Sequence, residues 1–316
     1  MLVISITDEL QPHHIERISN LVSPMEVVIE KDLYQPEIPI ENAEILITYG
    51  HQVTGETLNR MPGLKWIQIF QSGVERLPFE EIAKREILLT NIRDFHGIPM
   101  AEYVISMILY FTRCIPRYIQ YQKERHWCRQ EYVDEAYGKT LSIFGAGAIG
   151  QYIAQRCRQF GMRILGVNTT GKPHPDFDAM FSMKEKTEVL KRSDFVVLLL
   201  PATEETYHCF GKKEFAAMKK TACLINIGRG ALINTDDLLA SLDSREIRGA
   251  ALDVTEEEPL PANHPLWDSE HVILTPHIAA RTYQYFNRAI DKFALNWEMY
   301  SKGEQPPYYV DVKKGY

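Results

Sequence analysis

Short apolar runs alternate with polar, helix-like segments through most of the chain. Eleven runs are predicted strands, at residues 2–6, 26–29, 44–48, 65–70, 87–90, 141–144, 162–167, 195–200, 222–227, 249–254 and 271–274. Helical segments at 183–192, 213–219 and 235–242 separate the later strands. This alternation is typical of parallel sheets with crossover helices. We therefore predict an α/β protein with two Rossmann-like or flavodoxin-like domains, each built on a parallel sheet.

Two longer helices indicate how the domains are divided. The segment 99–109 is apolar almost all round, which predicts a buried helix, and 282–302 is amphipathic. We expect the last helix to return to the first domain. The predicted organisation is a discontinuous substrate domain, 1–98 and 284–316, interrupted by a dinucleotide-binding domain, 99–283.

The apolar run at 141–144 leads into three glycines, Gly145, Gly147 and Gly150, and then into a helical pattern. The first glycine permits a tight turn, the second lets the backbone approach a pyrophosphate, and the third allows the helix to pack on the strand. Amides at the start of the helix, at Ala148 and Ile149, would face the phosphates. A glycine turn without a ligand is the alternative, and the flanking strand and helix disfavour it.

The next strand ends at Asn168, where a dinucleotide-binding fold usually has an acid for the ribose hydroxyls. Thr169 and Thr170 offer hydroxyl donors, Gly171 lets the backbone approach, and Lys172 brings a cation. We therefore predict a preference for NADP(H) over NAD(H). The alternative is a polar turn that uses asparagine and glycine for their backbone angles.

Composition narrows the function further. The 316 residues are 45% hydrophobic and 24% charged, with a formal net charge of -7, so a broad surface for nucleic acid or anionic membranes is not expected. Five scattered cysteines without C-x-x-C spacing suggest neither disulfides nor zinc, and we predict no metal site. No basic leader and no apolar run of about eighteen residues is found, which favours a cytoplasmic protein.

Three of the later predicted strands lead into residues capable of chemistry. Arg229, Glu258 and His277 follow consecutive strands, and the carboxyl ends of parallel strands share one edge of a sheet. Arg229 can pair with a substrate carboxylate, His277 can exchange a proton with a carbonyl oxygen, and Glu258 can hold the imidazole ring. Asp253 is expected to support the coenzyme or this neighbourhood. Singly, each has a plain explanation as a surface cation, an acidic loop or a turn histidine.

The motifs together resemble the D-isomer-specific 2-hydroxyacid dehydrogenase family, over essentially the whole chain. They are Gly145-x-Gly147-x-x-Gly150, Leu200-Pro201-Ala202-Thr203-x-x-Thr206, Asn226-x-Gly228-Arg229-Gly230, Asp253-Val254-x-x-x-Glu258-Pro259, and His264-Pro265-Leu266-Trp267 leading to Thr275-Pro276-His277. Three departures are Asn168 in place of an acid, Thr255 where an aromatic is common, and Ala280 where glycine often occurs.

The resemblance implies the functional residues. Arg229, Glu258 and His277 correspond to the family's catalytic trio. The amides of Ser72, Gly73 and Val74, which alone would suggest a plain glycine turn after the strand 65–70, are implied to bind the substrate carboxylate together with Arg229 and His277. Coenzyme contacts are expected from the phosphate-binding turn, from residues 168–172, and from Pro201, Thr206, Ile227, Gly228, Asp253, His277 and Ala279.

The sequence therefore predicts a nicotinamide-dependent reductase of small 2-keto acids such as glyoxylate or hydroxypyruvate, with an active-site cleft between two domains. Family members are usually dimers, and the aromatic-rich segment 113–137 is the predicted dimerisation arm, although a packed connector is the alternative. Two other functions stay open at this stage. They are a 3-phosphoglycerate dehydrogenase and a nucleotide-sensing relative without catalysis.

Overall fold

Two parallel β-sheets organise the chain, each in a separate unit of a computed structural model. The structure describes residues 1–6, 10–74, 76–93, 95–130 and 132–312. One unit comprises Met1–Phe95 with Thr282–Tyr316, and the other comprises His96–Arg281. The two-sheet α/β architecture predicted from the sequence is confirmed.

The elements follow in chain order. The strands are β1 (Leu2–Ser5), β2 (Val27–Ile29), β3 (Ile45–Thr48), β4 (Trp66–Ile69), β5 (Leu88–Thr90), β6 (Thr140–Phe144), β7 (Arg163–Asn168), β8 (Ala179–Ser182), β9 (Phe195–Leu198), β10 (Cys223–Asn226), β11 (Gly249–Leu252) and β12 (Val272–Leu274). The helices are α1 (Pro12–Val22), α2 (Gly55–Asn59), α3 (Phe79–Lys84), α4 (Gly97–Thr112), α5 (Ile115–Lys123), α6 (Ala148–Arg158), α7 (Lys186–Arg192), α8 (Lys212–Ala217), α9 (Thr235–Asp243) and α10 (Tyr285–Ser301). Short 3-10 helices occupy Met183–Glu185, Gly230–Leu232 and Pro265–Asp268.

The first unit has the strand order β2-β1-β3-β4-β5, and every pairing is parallel. The final helix, α10, packs on this sheet through aromatic rings. The indole of Trp66 on β4 stacks with Phe293 and lies 4.6 Å, centroid to centroid, from Tyr300. A buried polar contact adds to this packing, because Asn296 donates to Gln68 Oε1 at 2.8 Å. Thus α10, although distant in sequence, belongs to the core of the first unit.

The second unit has the order β12-β11-β10-β9-β6-β7-β8, again entirely parallel. Strands β6, β9, β10 and β11 in the middle of this sheet are buried almost throughout, which explains why they appear in the sequence as continuous apolar runs. Helices α4 and α6 cover one face, and α7, α8 and α9 cover the other. This is the doubly wound arrangement in which ligands bind beyond the carboxyl ends of the strands.

The structure adds two elements that the sequence patterns did not reveal, the edge strand β8 and helix α5. Helix α5 lies in the segment 113–137 and has no buried residue. Within the described residues, no single helix has both the length and the apolarity to cross a membrane. The consecutive pair α4 and α5 meets those criteria only when taken together, and it is bent by 62°.

Candidate active site

The glycine turn after β6 leaves open space, called the glycine recess below, beside the backbone at Gly147. Gly145 has φ +108°, and a Cβ on it would lie 2.8 Å from the backbone of Leu199. A Cβ on Gly150 would lie 2.5 Å from the Gly145 carbonyl oxygen, so helix α6 packs directly against the turn. At Gly147, the residue before α6, a Cβ would meet nothing within 4 Å. The backbone is thus open where a pyrophosphate would approach the N-terminal amides of Ala148 and Ile149, and these residues fit a dinucleotide.

At the end of β7, the side chain of Asn168 organises the following turn. Its Oδ1 accepts hydrogen bonds from the amides of Gly171 at 2.7 Å and Thr170 at 3.0 Å. These two backbone donors fix the orientation of the Asn168 side-chain amide. The polar atom that remains for a ligand is therefore Nδ2, which can only donate. Thr169, Thr170 and Lys172 are exposed.

The segment after β9 that contains Pro201 and Thr206 folds as a tight turn. The hydroxyl of Thr206 donates to the Pro201 carbonyl oxygen at 2.6 Å and accepts from the amide of Thr203 at 2.8 Å. This threonine therefore shapes the loop, and its hydroxyl already has two partners in the turn.

The catalytic trio predicted from the sequence comes from three neighbouring strands. In the parallel register Asn226 pairs with Leu252, and Leu252 pairs with Leu274. Strands β10, β11 and β12 therefore end at the same level of the sheet. The loops that follow carry Arg229, Glu258 and His277 at this edge. All three residues are exposed within the unit.

His277 and Glu258 form the only direct contact within this trio that the described residues show. His277 Nδ1 lies 2.9 Å from Glu258 Oε2, and Glu258 Oε1 accepts from the amide of Thr255 at 3.2 Å. An ionised carboxylate only accepts, so Nδ1 carries a proton and the other ring nitrogen, Nε2, is left to face a ligand. Arg229 donates to the Gly228 carbonyl oxygen at 2.7 Å.

The loops of Arg229 and Glu258 touch through a glycine. A Cβ on Gly230 would lie 1.9 Å from the carbonyl carbon of Thr255 and 2.3 Å from the amide of Glu256. No side chain fits in that space. The absence of a side chain at Gly230 therefore sets the spacing between the two loops.

The backbone at His277 has φ +56°, in the left-handed region that β-carbon sterics disfavour. Such conformations cost on the order of 1–3 kcal/mol and persist where surrounding contacts impose them. Here the His277 amide donates to the Asp253 carbonyl oxygen at 2.8 Å, and the buried Asp253 carboxylate accepts from the amide of Ala279 at 2.8 Å. Asp253 thus holds the backbone segment that carries His277 through hydrogen bonds to two of its amides.

A cavity of about 540 Å³ borders this pair within the second unit. Pro259, Leu260, Trp267 and Pro276 supply much of its wall next to Glu258 and His277. The volume is in the range of small-molecule sites.

Ser72, Gly73 and Val74 lie in the first unit, directly after β4. Their amides donate to none of the described residues, whereas the Ser72 carbonyl oxygen accepts from Asn91 Nδ2 at 2.8 Å. Adjacent amides without intramolecular acceptors can receive an anion. Sequence reasoning did not identify Asn91, whose hydrogen bond supports this loop.

One further titratable group is His96, which precedes α4. Burial lowers the pKa of its imidazole, because the charged form loses hydration. In the described part of the chain, no cluster of three or more histidine, cysteine, aspartate or glutamate side chains could hold a metal ion.

A doubly wound parallel sheet with a glycine-rich turn and a histidine–carboxylate pair, both at the carboxyl edge of its strands, defines a class, the nicotinamide-dependent dehydrogenases. Comparison with known proteins gives the family. Residues 105–279 match the family model "D-isomer specific 2-hydroxyacid dehydrogenase, NAD binding domain". The chain belongs to the D-isomer-specific 2-hydroxyacid dehydrogenase family and is an NAD(P)-dependent oxidoreductase.

The relatives cover nearly the whole chain. Glyoxylate reductase of Thermococcus gammatolerans is 34% identical over 91% of this chain and 86% of its own length. A crystal structure of a family member from Aeromonas salmonicida is 32% identical, with a TM-score of 0.84 over 98% of both chains. The NADPH-dependent glyoxylate/hydroxypyruvate reductase of Sinorhizobium meliloti, solved with NADP and sulfate, is 25% identical, with a TM-score of 0.79 over 100% of this chain and 99% of that one.

The contact at Gly230 gives a first prediction. Gly230→Ala should lower kcat/KM by at least about tenfold, because the added Cβ forces the Arg229 and Glu258 loops apart, and overpacking typically costs about 1–3 kcal/mol. Steady-state kinetics with glyoxylate measures this. Gly63→Ala is the control, since a Cβ there meets only one atom, at 3.7 Å. Equal activity of the two variants would contradict the assigned spacing role.

Proposed function

We propose that this protein reduces a small 2-keto acid, such as glyoxylate or hydroxypyruvate, to the D-2-hydroxy acid, with His277 as the general acid. The observation that carries this proposal is the 2.9 Å contact between His277 Nδ1 and Glu258 Oε2. It directs the second ring nitrogen away from the carboxylate and toward a ligand. The names of the relatives, glyoxylate reductase and glyoxylate/hydroxypyruvate reductase, support the substrate class.

The other residues bind and orient. Arg229 presents a planar guanidinium that can pair with the substrate carboxylate through two parallel hydrogen bonds and polarise the adjacent carbonyl. The amides of Ser72, Gly73 and Val74, which donate to none of the described residues, are proposed to bind a carboxylate. Glu258 holds the His277 ring so that its proton points at the keto oxygen. The glycine turn after β6 would hold the coenzyme, whose nicotinamide would supply a hydride for the keto carbon.

His277→Ala tests the proton donor. We expect kcat to fall by about a hundred- to ten-thousandfold, the usual contribution of a general acid. Coenzyme affinity, measured by fluorescence titration of NADPH, should stay near that of the unmodified protein, because the glycine recess after β6 is not altered. His271→Ala is the control, since His271 precedes β12 at the opposite end of the same strand. A fall in kcat of less than tenfold in His277→Ala would remove His277 from this role.

We also propose that NADPH is the preferred coenzyme. Asn168 Oδ1 is committed to the turn amides, so Nδ2 is the group left to meet the ribose, and a donor suits a 2′-phosphate better than a vicinal diol. An aspartate there would present a second anionic oxygen, which would repel the phosphate. Lys172, exposed four residues further on, adds a cation. The relative from Sinorhizobium meliloti, described as NADPH-dependent, supports this preference.

Asn168→Asp makes the coenzyme proposal testable with little change to the turn, because one carboxylate oxygen can still accept from Thr170 and Gly171. We expect the ratio of kcat/KM for NADPH to that for NADH to exceed one in the unmodified protein and to fall at least about tenfold in the variant. Lys172→Met should weaken NADPH alone. Equal or better use of NADH by the unmodified protein would refute the proposal.

We further propose that the protein is a homodimer whose interface includes the arm 113–137. Within this arm Trp127 is 89% exposed and Tyr132 fully exposed, and large exposed aromatics are typical of interface centres. The arm is anchored at its far end, because the amide of Asp134 donates to the Thr112 carbonyl oxygen at the end of α4.

Light scattering at micromolar concentration tests the assembly. The unmodified chain should have twice the monomer mass, and Trp127→Asp combined with Tyr132→Asp should give monomers, because two charges cannot be buried without partners. Tyr283→Asp is the control, as Tyr283 is 99% exposed but outside the arm. A monomeric unmodified protein, or a dimer that survives the double substitution, contradicts the proposal.

A further inference from the structure

The segment that carries His277 is held from both sides by one buried carboxylate. Asp253 Oδ1 accepts from the amide of Ile278 at 2.8 Å, and Oδ2 accepts from the amide of Ala279 at 2.8 Å. On the other side of the histidine, the hydroxyl of Thr275 donates to Oδ1 at 2.6 Å. These hydrogen bonds hold Thr275, two residues before His277, and Ile278 and Ala279 after it, on either side of its left-handed backbone.

A tyrosine on a different element completes this arrangement. Tyr103 lies on α4, and its hydroxyl oxygen is 2.8 Å from Thr275 Oγ1. A carboxylate can only accept, so the single proton of the Thr275 hydroxyl goes to Asp253, and Tyr103 must be the donor to Thr275. The series of hydrogen bonds therefore has one direction: the Tyr103 hydroxyl donates to Thr275, and the Thr275 hydroxyl donates to the Asp253 carboxylate.

Tyr103 keeps this proton over the working range of the protein. Burial raises the pKa of its phenol to about 12, because the phenolate would lose hydration. The hydrogen bond to Thr275 acts in the opposite direction but is the smaller effect, and the nearby Asp253 charge adds to the rise. Because Tyr103 stays protonated and Asp253 is charged, the two hydrogen bonds that connect them through Thr275 strengthen each other.

We propose that Tyr103 is a positioning residue for the reduction, which acts on His277 through Thr275 and Asp253. The inference rests on the proposed function of His277 as the proton donor. Without the Tyr103 hydroxyl, Thr275 loses its donor and its side chain can rotate away from Asp253. The hydrogen bond that holds the segment before His277 is then weakened. The imidazole then spends less time in the orientation that Glu258 and a substrate carbonyl require, and catalysis is sensitive to such small displacements.

Tyr103→Phe removes this hydroxyl and nothing else. We expect kcat for glyoxylate to fall about five- to twentyfold, in the range expected from one lost hydrogen bond in a linked set. KM for glyoxylate and the dissociation constant of NADPH should stay within about twofold, because Arg229 and the glycine recess are unaffected. Tyr110→Phe, two helical turns further along α4, is the control, since its hydroxyl has no partner among the described residues. An unchanged kcat in Tyr103→Phe overturns the inference.

Thr275 gives an independent variant pair. Thr275→Val keeps the shape but removes the link between Tyr103 and Asp253, so kcat should fall at least as far as in Tyr103→Phe. Thr275→Ser keeps the hydroxyl and should retain most of the activity. Equal activity in the serine and valine variants would show that the hydroxyl chain does not matter.

A double-mutant cycle with His277→Ala shows whether Tyr103 acts through the histidine. In that background Tyr103→Phe should cause no further loss of residual turnover. The same fold loss in both backgrounds overturns the positioning role and leaves His277 as the acid. High activity of His277→Ala itself overturns the proposed function, and the inference fails with it. NADPH binding and the thermal midpoint, measured for all four proteins, identify any loss that comes from unfolding.

Discussion

The parallel register of β10, β11 and β12 is the constraint on which the candidate active site depends. Because these strands end at the same level, the loops that follow them leave the sheet side by side although they are far apart in sequence. Each loop is then held in place by one local contact. Gly230 lets two loops touch, Glu258 fixes the ring of His277, and Asp253 restrains the segment on which that ring is carried. The aligned strand ends and these three contacts together set the positions of Arg229, Glu258 and His277.

Much of the fold could be predicted from the sequence, because buried parallel strands appear as continuous apolar runs and glycines mark the turns between them. The same physics explains the omissions. Strand β8 is only half-buried and has no more than three consecutive apolar residues, and α5 has no buried residue, so neither has the long apolar pattern of a core element. Helix ends differ from the prediction by a few residues, since capping depends on local contacts as much as on pattern.

The site was partly predictable for a related reason. Arg229, Glu258 and His277 carry chemistry in their side chains and follow recognisable strands. Tyr103 gave no such signal, because a tyrosine in an apolar helix resembles a core residue and its partner Thr275 lies 172 positions away. The orientation of the Asn168 side chain has no signal in the sequence either, because it is set by the Thr170 and Gly171 amides that Oδ1 accepts from.

In the proposed reaction, the edge formed by β10, β11 and β12 presents a proton from His277 and a carboxylate anchor from Arg229 to one substrate. A crystal structure of the complex with NADPH and oxamate, a non-reacting analogue of a 2-keto acid, tests it most directly. The account predicts His277 Nε2 within about 3 Å of the oxamate amide-carbonyl oxygen, with the Arg229 guanidinium paired to the carboxylate. Oxamate bound with its carbonyl oxygen on another side chain, and with the His277 ring directed away from it, would contradict the account.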